Sequence, residues 1–484
     1  MIADIENKLL CWKCIGDEYL KGKVRSEGVA NTCSYCECRG RTFRIADISG
    51  IVDVAFQQHY QQSRMEMNGY EWQAHKDPDS SFEFIPDGEP IEQAIENAAD
   101  IPGKAATDIQ AVLADRYSSW SSIEIGEQTE YDADLYYEEI SPDDSKWQEK
   151  WRTFERALKT ESRFFNPAAI DLLLELFDGV ERLQTYTGSG LVVTAGPGTE
   201  LTHLFRARAF QSPSKLEAAI GRPDTELGPP PSLFASSGRM NARGISVFYG
   251  ADDPAAAVAE VRPPVGCHVA VGRFEITREL RLLDLSSFPS ATLRGSIFNP
   301  EYAGELSRIR FLKGLAMRMA RPVMPDDQEF EYLPTQAVAD FLATGLVAPM
   351  DGIIFPSVQV AGEIKNVVLF HHASAVEVWQ VPENVEIEVQ MTSEDEDGSY
   401  PDFTAFWWRK ANAEERAVSA EDAEIADYWE VFERTAREMT QQRRSTSLKI
   451  EPGEVEVRKI EAVEFKSTDY KVQHTEMSAS TNAF

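Results

Sequence analysis

Basic side chains are scarce in this sequence. Only 48 lysines and arginines stand against 80 aspartates and glutamates, which gives a formal net charge of -32 at pH 7. Such an acidic surface repels the phosphates of DNA and RNA. The composition therefore argues against nucleic acid as a partner.

Long hydrophobic runs are also missing. No stretch approaches the roughly 18 to 20 apolar residues that cross a bilayer. The first residues, MIADIENKLLCWK, lack the basic start and apolar core of a secretory signal, and no internal repeat is visible. We therefore expect a soluble, cytoplasmic protein without a membrane partner, and 484 residues predict about two to four folded units.

Cysteine is rare and confined to one short region. Five of the six cysteines lie within residues 11–38 and form two Cys-x-x-Cys knuckles, a spacing typical of structural zinc sites. Redox or disulfide chemistry is the alternative, which a reducing compartment disfavours. The candidate ligands are Cys11, Cys14, Cys33, Cys36 and Cys38. Because zinc takes four ligands, either Cys36 or Cys38 completes the site.

The spacing of apolar residues changes along the chain. After a zinc-binding segment over residues 1–44, apolar residues recur at helical spacing over residues 45–190 and predict a helical domain. Within it, the acidic and aromatic stretch at 126–144 is interpreted as a solvated loop. Glycines near residue 190 mark a boundary. Short strands then alternate with short helices over residues 191–382, which predicts an α+β domain.

Residues 383–484 form an acidic extension to which the sequence assigns no function. We expect one helix at 420–442, a β-prone segment at 453–465 and a disordered, polar end.

Two arginines alternate with apolar residues in LFRARAF, residues 204–210. A strand places Arg206 and Arg208 on one face and the intervening phenylalanine and alanines on the other. Neighbouring guanidinium groups repel each other unless an anion lies between them, and phosphate suits their forked donors. The segment is therefore either a phosphate-binding strand or an edge strand with two solvated arginines.

A glycine-containing loop follows further along, in SSGRMNARGIS. Gly238 and Gly244 allow a tight turn or a close approach of the backbone to a ligand. Arg239 and Asn241 offer hydrogen-bond donors in the same loop. These residues are candidates for ligand binding.

An alanine-rich segment, DDPAAAVAEVR, carries one carboxylate, Glu260. Asp252 or Asp253 with Pro254 predicts the start of a helix. Glu260 then falls in the last turn among alanines and valines, where we expect it to be half-buried. An ion pair with Arg262 would give Glu260 a purely structural role.

Ser357 follows the apolar segment GIIFP, which predicts a buried strand. As a nucleophile this serine would need a base, and no Ser/His/Asp order is evident. As a hydrogen-bond donor to a ligand it needs no further group. His371 and His372 follow the next strand and are expected to cap or pack.

Together these segments resemble the RES-domain family, named for its Arg, Glu and Ser. The resemblance rests on the arginine strand, the loop with FYGA, the YLPTQ box at 332–336, and DGIIFPS followed by NVVLF, and it covers roughly residues 195–375. The preceding helical region with its zinc knuckles is similar to the HEPN-type regions found before RES domains. HEPN ribonucleases carry an Arg and a His four to six residues apart, and residues 45–190 show no such pair. We therefore expect a structural or regulatory module there.

RES domains are similar in fold to ADP-ribosyltransferases and are known as NAD-consuming toxins. The resemblance therefore implies a toxin of toxin–antitoxin or bacterial-defence type, with NAD as substrate. The residues it implies as catalytic are Glu260, Arg206, Ser357 and Tyr249, and those it implies as NAD-binding are Arg208, Arg239, Asn241 and Gly244. Which of Arg206 and Arg208 acts stays open.

Breaking the nicotinamide–ribose bond creates an oxocarbenium-like cation, which a carboxylate beside the ribose stabilises. Glu260 would supply that carboxylate while Tyr249 stacks on the nicotinamide. The arginines would hold the pyrophosphate, and Ser357 would fix the ribose or the nicotinamide side. Water or phosphate would then attack, which gives hydrolysis or phosphorolysis.

Two other functions are compatible with the same residues. One is transfer of ADP-ribose to a macromolecule, and the other is an inactive, zinc-stabilised binding module. A toxin must also be restrained, so an antitoxin-like inhibitory protein, or coverage of the site by the chain's own flanking regions, is expected. A homo-oligomer is compatible with the sequence.

Overall fold

The computed structural model describes residues 2–77, 80, 83–118, 129–321, 323–357, 359–360, 364–396, 398–409, 444–464, 467–472 and 474. The chain forms two compact units, one from Met1–Val192 and Asp284–Thr335 and the other from Val193–Leu283 and Gln336–Phe484. Residues 284–335 thus belong to the first unit, although they lie inside the predicted α+β domain. Helices and strands both occur throughout, which confirms the predicted α+β class.

The helices, in chain order, are α1 Ile2–Glu6, α2 Glu18–Glu27, α3 Ile45–His59, α4 Gly69–Lys76, α5 Ile91–Ala99, α6 Gly103–Tyr117, α7 Ser145–Thr160, α8 Pro167–Phe177, α9 Pro213–Gly221, α10 Pro223–Glu226, α11 Pro254–Glu260, α12 Tyr302–Ala320, α13 Gln328–Glu331 and α14 Leu333–Thr344. Among the described residues no helix is long and apolar enough to cross a lipid bilayer.

The strands are β1 Leu9–Cys11, β2 Val29–Thr32, β3 Arg39–Arg44, β4 Tyr60–Gln62, β5 Glu89–Pro90, β6 Tyr136–Glu139, β7 Gln184–Thr185, β8 Val192–Ala195, β9 His203–Phe210, β10 Phe248–Ala251, β11 His268–Ile276, β12 Leu280–Asp284, β13 Ala291–Thr292, β14 Gly352–Pro356, β15 Lys365–Leu369, β16 Ala375–Val376, β17 Val385–Asp395, β18 Gly398–Arg409, β19 Thr446–Lys449 and β20 Val455–Lys459.

The core of the first unit is built from helices whose apolar residues recur every four positions. On α3, Ile48, Val52 and Phe56 are buried together and pack with buried residues of α5 and α6. This spacing places all three side chains on one helical face. Helices α3 to α8 lie in the region whose sequence shows this spacing.

The acidic, aromatic stretch of the first unit is not a solvated loop, contrary to our interpretation. Its described part contains β6, which pairs with β4 and β5, while residues 126–128 lie outside the described residues. Tyr131 is 2% exposed, and its ring stacks on Tyr137 with centroids 5.8 Å apart. The hydroxyl of Tyr131 donates to Asp53. Partners distant in sequence therefore bury tyrosines that the local charge pattern suggested were solvated.

A ten-stranded sheet dominates the second unit. Its order is β16-β19-β11-β9-β10-β15-β14-β12-β8, with β20 paired to β11. The central pairs β11–β9, β9–β10, β10–β15 and β15–β14 are antiparallel. Strands β9, β10, β15 and β14 are therefore neighbours, although β10 and β14 are far apart in the sequence.

The predicted boundary at residue 382 does not mark the end of this sheet. Strand β20, from the β-prone segment of the extension, pairs with the first half of β11, and β19 pairs with its end. Strands β17 and β18 form a separate hairpin. The helix predicted at 420–442 and residues 475–484 of the polar end lie outside the described residues.

The two faces of β9 pack against different partners. Leu204 and Phe210 lie in one core with Phe248 and Phe274. Ala207 lies in a second core with residues of α11, among them Ala256. Because side chains alternate along a strand, α11 covers the face that carries Ala207.

Candidate functional site

A cavity of about 200 Å³ lies beside α11 in the second unit. The residues of its lining that matter below are Phe205, Arg206, Tyr249, Glu260, Phe355 and Asn366. They come from the neighbouring strands β9, β10, β14 and β15 and from the end of α11. The sheet order thus brings together the sequence-predicted residues Arg206, Tyr249 and Glu260.

Helix α11 delivers Glu260 to this cavity. The side chain of Asp253 caps the helix by accepting from the backbone N–H groups of Ala255 and Ala256, at 2.8 and 3.0 Å, and Pro254 occupies the first turn. This is the start that the sequence predicts. Ala256 is buried, and Glu260, four positions later, follows it on the same helical face.

The expectation that Glu260 is half-buried is wrong. The residue is exposed, because α11 ends at Glu260 and the side chain meets the open cavity rather than the core. The apolar residues buried under the helix are Ala256 and Ala257.

Two side chains hold the Glu260 carboxylate by the same oxygen. The amide Nδ2 of Asn366 donates to Oε1 at 2.6 Å, and the hydroxyl Oγ of Ser357 donates to it at 3.5 Å. Asn366 is 3% exposed and Ser357 is 9% exposed. The predicted site residues Glu260 and Ser357 are therefore together, and Asn366 links to them from β15.

Arg206 lines the cavity as a residue, but its side chain lies on the face of β9 that also carries Leu204 and Phe210, opposite the face of Ala207. Its guanidinium lies over the ring of Phe248, 5.0 Å from the centroid, and Nη1 is buried with no hydrogen-bond partner among the described residues. Burial, helped by repulsion from Arg208, lowers the pKa of Arg206 to about 10, against a raising effect of Tyr249. Arg206 therefore remains charged at neutral pH, and its unpaired Nη1 is enclosed by protein.

Arg208 is placed differently, although it shares a strand with Arg206. Its side chain is exposed, and Nη1 donates to the backbone carbonyl of Glu226 at 2.7 Å. Of the two arginines, Arg206 lines the cavity and Arg208 does not.

The loop before β10 anchors Tyr249. The Tyr249 hydroxyl donates to Oδ1 of Asn241 at 2.9 Å and accepts from the backbone N–H of Met240 at 3.1 Å. The amide of Asn241 in turn donates to the carbonyls of Ser236 and Ile245, each at 2.9 Å. Asn241 is thus engaged inside the loop, where it positions the Tyr249 ring rather than contacting the cavity.

Gly238 and Gly244 are each required in this loop for a different physical reason. A Cβ on Gly238 would lie 2.5 Å from Oδ1 of Asn241 and 2.6 Å from the Tyr249 hydroxyl. Gly244 has φ of +88°, a conformation that favours glycine. Neither Gly244 nor Arg239 lines the cavity. Both lie in the loop that precedes β10.

Gln336, the last residue of the YLPTQ box, fixes the same loop from α14. Its Nε2 donates to the carbonyls of Gly238 and Asn241 at 2.8 and 3.0 Å and to Oγ of Ser237 at 3.0 Å. Gln336 is 8% exposed. Sequence reasoning gave no role to Gln336 or to Asn366, although each is an amide directly before an apolar run, which is the signal that could have identified them.

The two histidines after β15 contact groups of the fold. His371 lies with Nδ1 3.0 Å from the carbonyl of Ser246, and burial, together with the charge of Arg444, lowers its pKa. His372 contacts Asp351 at 3.4 Å. Neither residue lines the cavity.

Asp351 anchors the start of β14 through several donors. Arg278 pairs with Oδ1 at 2.9 Å, and the backbone N–H of Arg281 donates to Oδ2 at 2.9 Å. Burial alone would raise the pKa of Asp351, but the hydrogen bonds from His372, Arg278 and Arg281 lower it to about 2.

The cysteine cluster forms a candidate metal centre in the first unit. The Sγ atoms of Cys11, Cys14, Cys33 and Cys36 all lie within 4.8 Å of one another. Three of the S–S distances are 3.7, 3.6 and 3.9 Å, and a tetrahedral ion with Zn–S bonds of about 2.3 Å requires about 3.8 Å. Four thiols at this spacing fit a zinc ion.

Cys38 lies outside this group of four thiols. It is exposed, and its backbone carbonyl accepts from the N–H of Cys33 at 3.0 Å. Of the two alternatives for the fourth ligand, the geometry therefore favours Cys36.

Comparison with known proteins identifies the region of the chain that contains the cavity. Residues 204–390 match the family model described as RES domain. A search of curated proteins and a search of solved structures gave no match. The matched span contains the cavity residues Arg206, Tyr249 and Glu260 with Ser357 and Asn366. Residues 204–390 of the chain therefore correspond to a RES domain.

Proposed function

We propose that this protein is a toxin-type enzyme that cleaves the nicotinamide–ribose bond of NAD, by hydrolysis or by phosphorolysis. The observation that carries the proposal is the carboxylate of Glu260, held by Asn366 and Ser357 at a cavity that Arg206 and Tyr249 also line. RES domains are associated with NAD chemistry, which supports the same reading.

The chemistry assigns a separate role to each group. Loss of nicotinamide leaves positive charge on the ribose, and a fixed carboxylate stabilises that charge as it develops. Glu260 supplies this carboxylate and accepts a hydrogen bond from a ribose hydroxyl. Removing a group that stabilises developing charge typically costs on the order of 100-fold or more in rate.

The size of the cavity limits which part of NAD enters it. A volume of about 200 Å³ is smaller than the roughly 300 Å³ at which pockets for drug-sized ligands begin. The cavity therefore takes the nicotinamide and its ribose, while the rest of the dinucleotide stays outside. The Tyr249 ring stacks on the nicotinamide, and the buried positive charge of Arg206 attracts the anionic pyrophosphate without a direct hydrogen bond.

The first unit serves stability and control in this proposal. Zinc on Cys11, Cys14, Cys33 and Cys36 closes a four-thiolate site, which stabilises the fold and leaves no open position for catalysis. We assign the HEPN-like helical region to regulation, together with an antitoxin-like inhibitory protein that restrains the enzyme in the cytoplasm.

The test is incubation of the purified full-length chain with NAD, with and without added phosphate, while nicotinamide is followed by chromatography. Release without phosphate, together with free ADP-ribose, is expected for hydrolysis, and release that depends on phosphate is expected for phosphorolysis. NAD labelled in the adenosine part adds a third arm, since label on a macromolecule would indicate ADP-ribosyl transfer. Intact NAD in all arms contradicts the proposal.

A further inference from the structure

We propose that Asn366 is the positioning residue of this site: its neutral amide fixes one oxygen of Glu260 and leaves the other for the substrate. The inference rests on the proposed function, since the consequence of this geometry is read in the NAD reaction.

The hydrogen bond between the two residues joins distant parts of the chain. Asn366 and Glu260 are 106 positions apart, and Nδ2 lies 2.6 Å from Oε1. Asn366 lies on β15 between Ala251 of β10 and Phe355 of β14, in the middle of the sheet. A buried side chain between two paired strands has little freedom, so it offers Glu260 a rigid donor.

The second oxygen of the carboxylate is left for another donor. Both Asn366 and Ser357 donate to Oε1, and within the described part of the chain Oε2 of Glu260 receives no hydrogen bond. The short bond from Asn366, with the Ser357 hydroxyl at the edge of hydrogen-bonding distance, restricts the rotation of the carboxylate. Oε2 is therefore the atom that meets a ribose hydroxyl.

The neutrality of the partner matters for the chemistry. An arginine or lysine at this position would cancel the negative charge that stabilises the oxocarbenium-like cation. An amide orients the carboxylate and leaves its full charge in place. Asn366 thus orients the Glu260 carboxylate without neutralising its negative charge.

The fold gains little from Asn366, which points to function. Its Oδ1 is buried without a hydrogen-bond partner among the described residues, an arrangement that costs stability. Asn241 is an equally buried amide whose groups are all engaged within its loop. The two asparagines are therefore suited to comparison, because Asn241 serves the fold and Asn366 serves the site.

The experiment uses the full-length chain and three variants: Asn366→Leu, Asn366→Asp and Asn241→Leu. For each, kcat and KM for NAD cleavage and the denaturant midpoint of unfolding are measured. Asn366→Leu removes the donor with little change of volume, and Asn366→Asp keeps the shape but replaces the donor with a like charge. Asn241→Leu reports what the loss of a satisfied buried amide does to the fold.

We expect Asn366→Leu to lower kcat about 10- to 100-fold with KM changed less than threefold, and to leave the unfolding midpoint unchanged or raised. Asn366→Asp is expected to lower kcat by at least the same factor. It provides a second test of the role if the leucine variant folds poorly. Asn241→Leu should lower the midpoint.

Wild-type kcat in both Asn366 variants overturns the positioning role while the proposed function stands. A midpoint that falls as far in Asn366→Leu as in Asn241→Leu, with kcat lowered and KM raised together, also overturns it, because Asn366 would then be structural. Failure of the wild type to release nicotinamide is a different result, and it overturns the proposed function itself.

Discussion

The substitution Gln336→Leu tests whether the loop before β10 depends on one buried amide. In the native protein Nε2 of Gln336 donates to three acceptors at 2.8 to 3.0 Å, the carbonyls of Gly238 and Asn241 and the hydroxyl of Ser237. Leucine has a similar volume but no donor, so the carbonyls lose their partner inside the protein.

The magnitude follows from the number of hydrogens available. An NH₂ group has two hydrogens, and each hydrogen bond between neutral groups contributes about 0.5 to 1.5 kcal/mol net. The expected loss is therefore about 2 kcal/mol for the loop. Since about 1.4 kcal/mol corresponds to a factor of ten, local opening should become about 30-fold more frequent.

Native-state hydrogen exchange measures this opening directly. The N–H groups of Gly238 and Asn241 bond to each other's carbonyls, at 2.9 and 3.4 Å, so peptides covering both residues report on the loop. The matched control is Gln380→Leu, because Gln380 is exposed and its replacement should change exchange little. Equal exchange in wild type and Gln336→Leu would refute the reasoning.

Three further predictions concern separate contacts. Tyr249→Phe should keep KM for NAD within about threefold but speed hydrogen exchange in its loop, whereas Tyr249→Ala should raise KM strongly, as steady-state kinetics would show. Asp351→Asn should cost about 2 kcal/mol of unfolding free energy at pH 7, since its pKa falls from 3.8 to about 2 on folding. Because the pKa of Asp351 is lower in the folded state, its ionised form stabilises the fold above about pH 4. The unfolding free energies of variant and wild type should therefore converge as the pH falls towards 2. Cys36→Ser should lose bound zinc and Cys38→Ser should keep one ion per chain, by elemental analysis.

The local parts of this structure follow from the sequence. Asp253 with Pro254 predicts the start of α11, and the alternation in LFRARAF places Arg206 and Arg208 on one face of β9. GIIFP forms the buried strand that ends beside Ser357. Each of these features depends on residues that are neighbours in the chain, and local pattern is sufficient for such features.

Features that depend on distant partners were missed or wrong. The burial of Glu260 was misjudged because the end of a helix, not its composition, decides what the last side chain meets. The bond from Asn366 joins strand and helix across 106 positions, so the local pattern can mark the amide but not its partner. Strand β20 joins β11 from the acidic extension for the same reason, since strand pairing depends on the sheet and not on the segment alone.

Nicotinamide release by Glu260→Gln compared with the wild type tests the central claim most directly. The glutamine keeps the shape of the side chain and removes the negative charge. The matched control is Glu217→Gln on α9, an exposed residue outside the cavity lining. Our account predicts release by the wild type and by Glu217→Gln, and a rate at least about 100-fold lower for Glu260→Gln. Equal rates for Glu260→Gln and the wild type would contradict it.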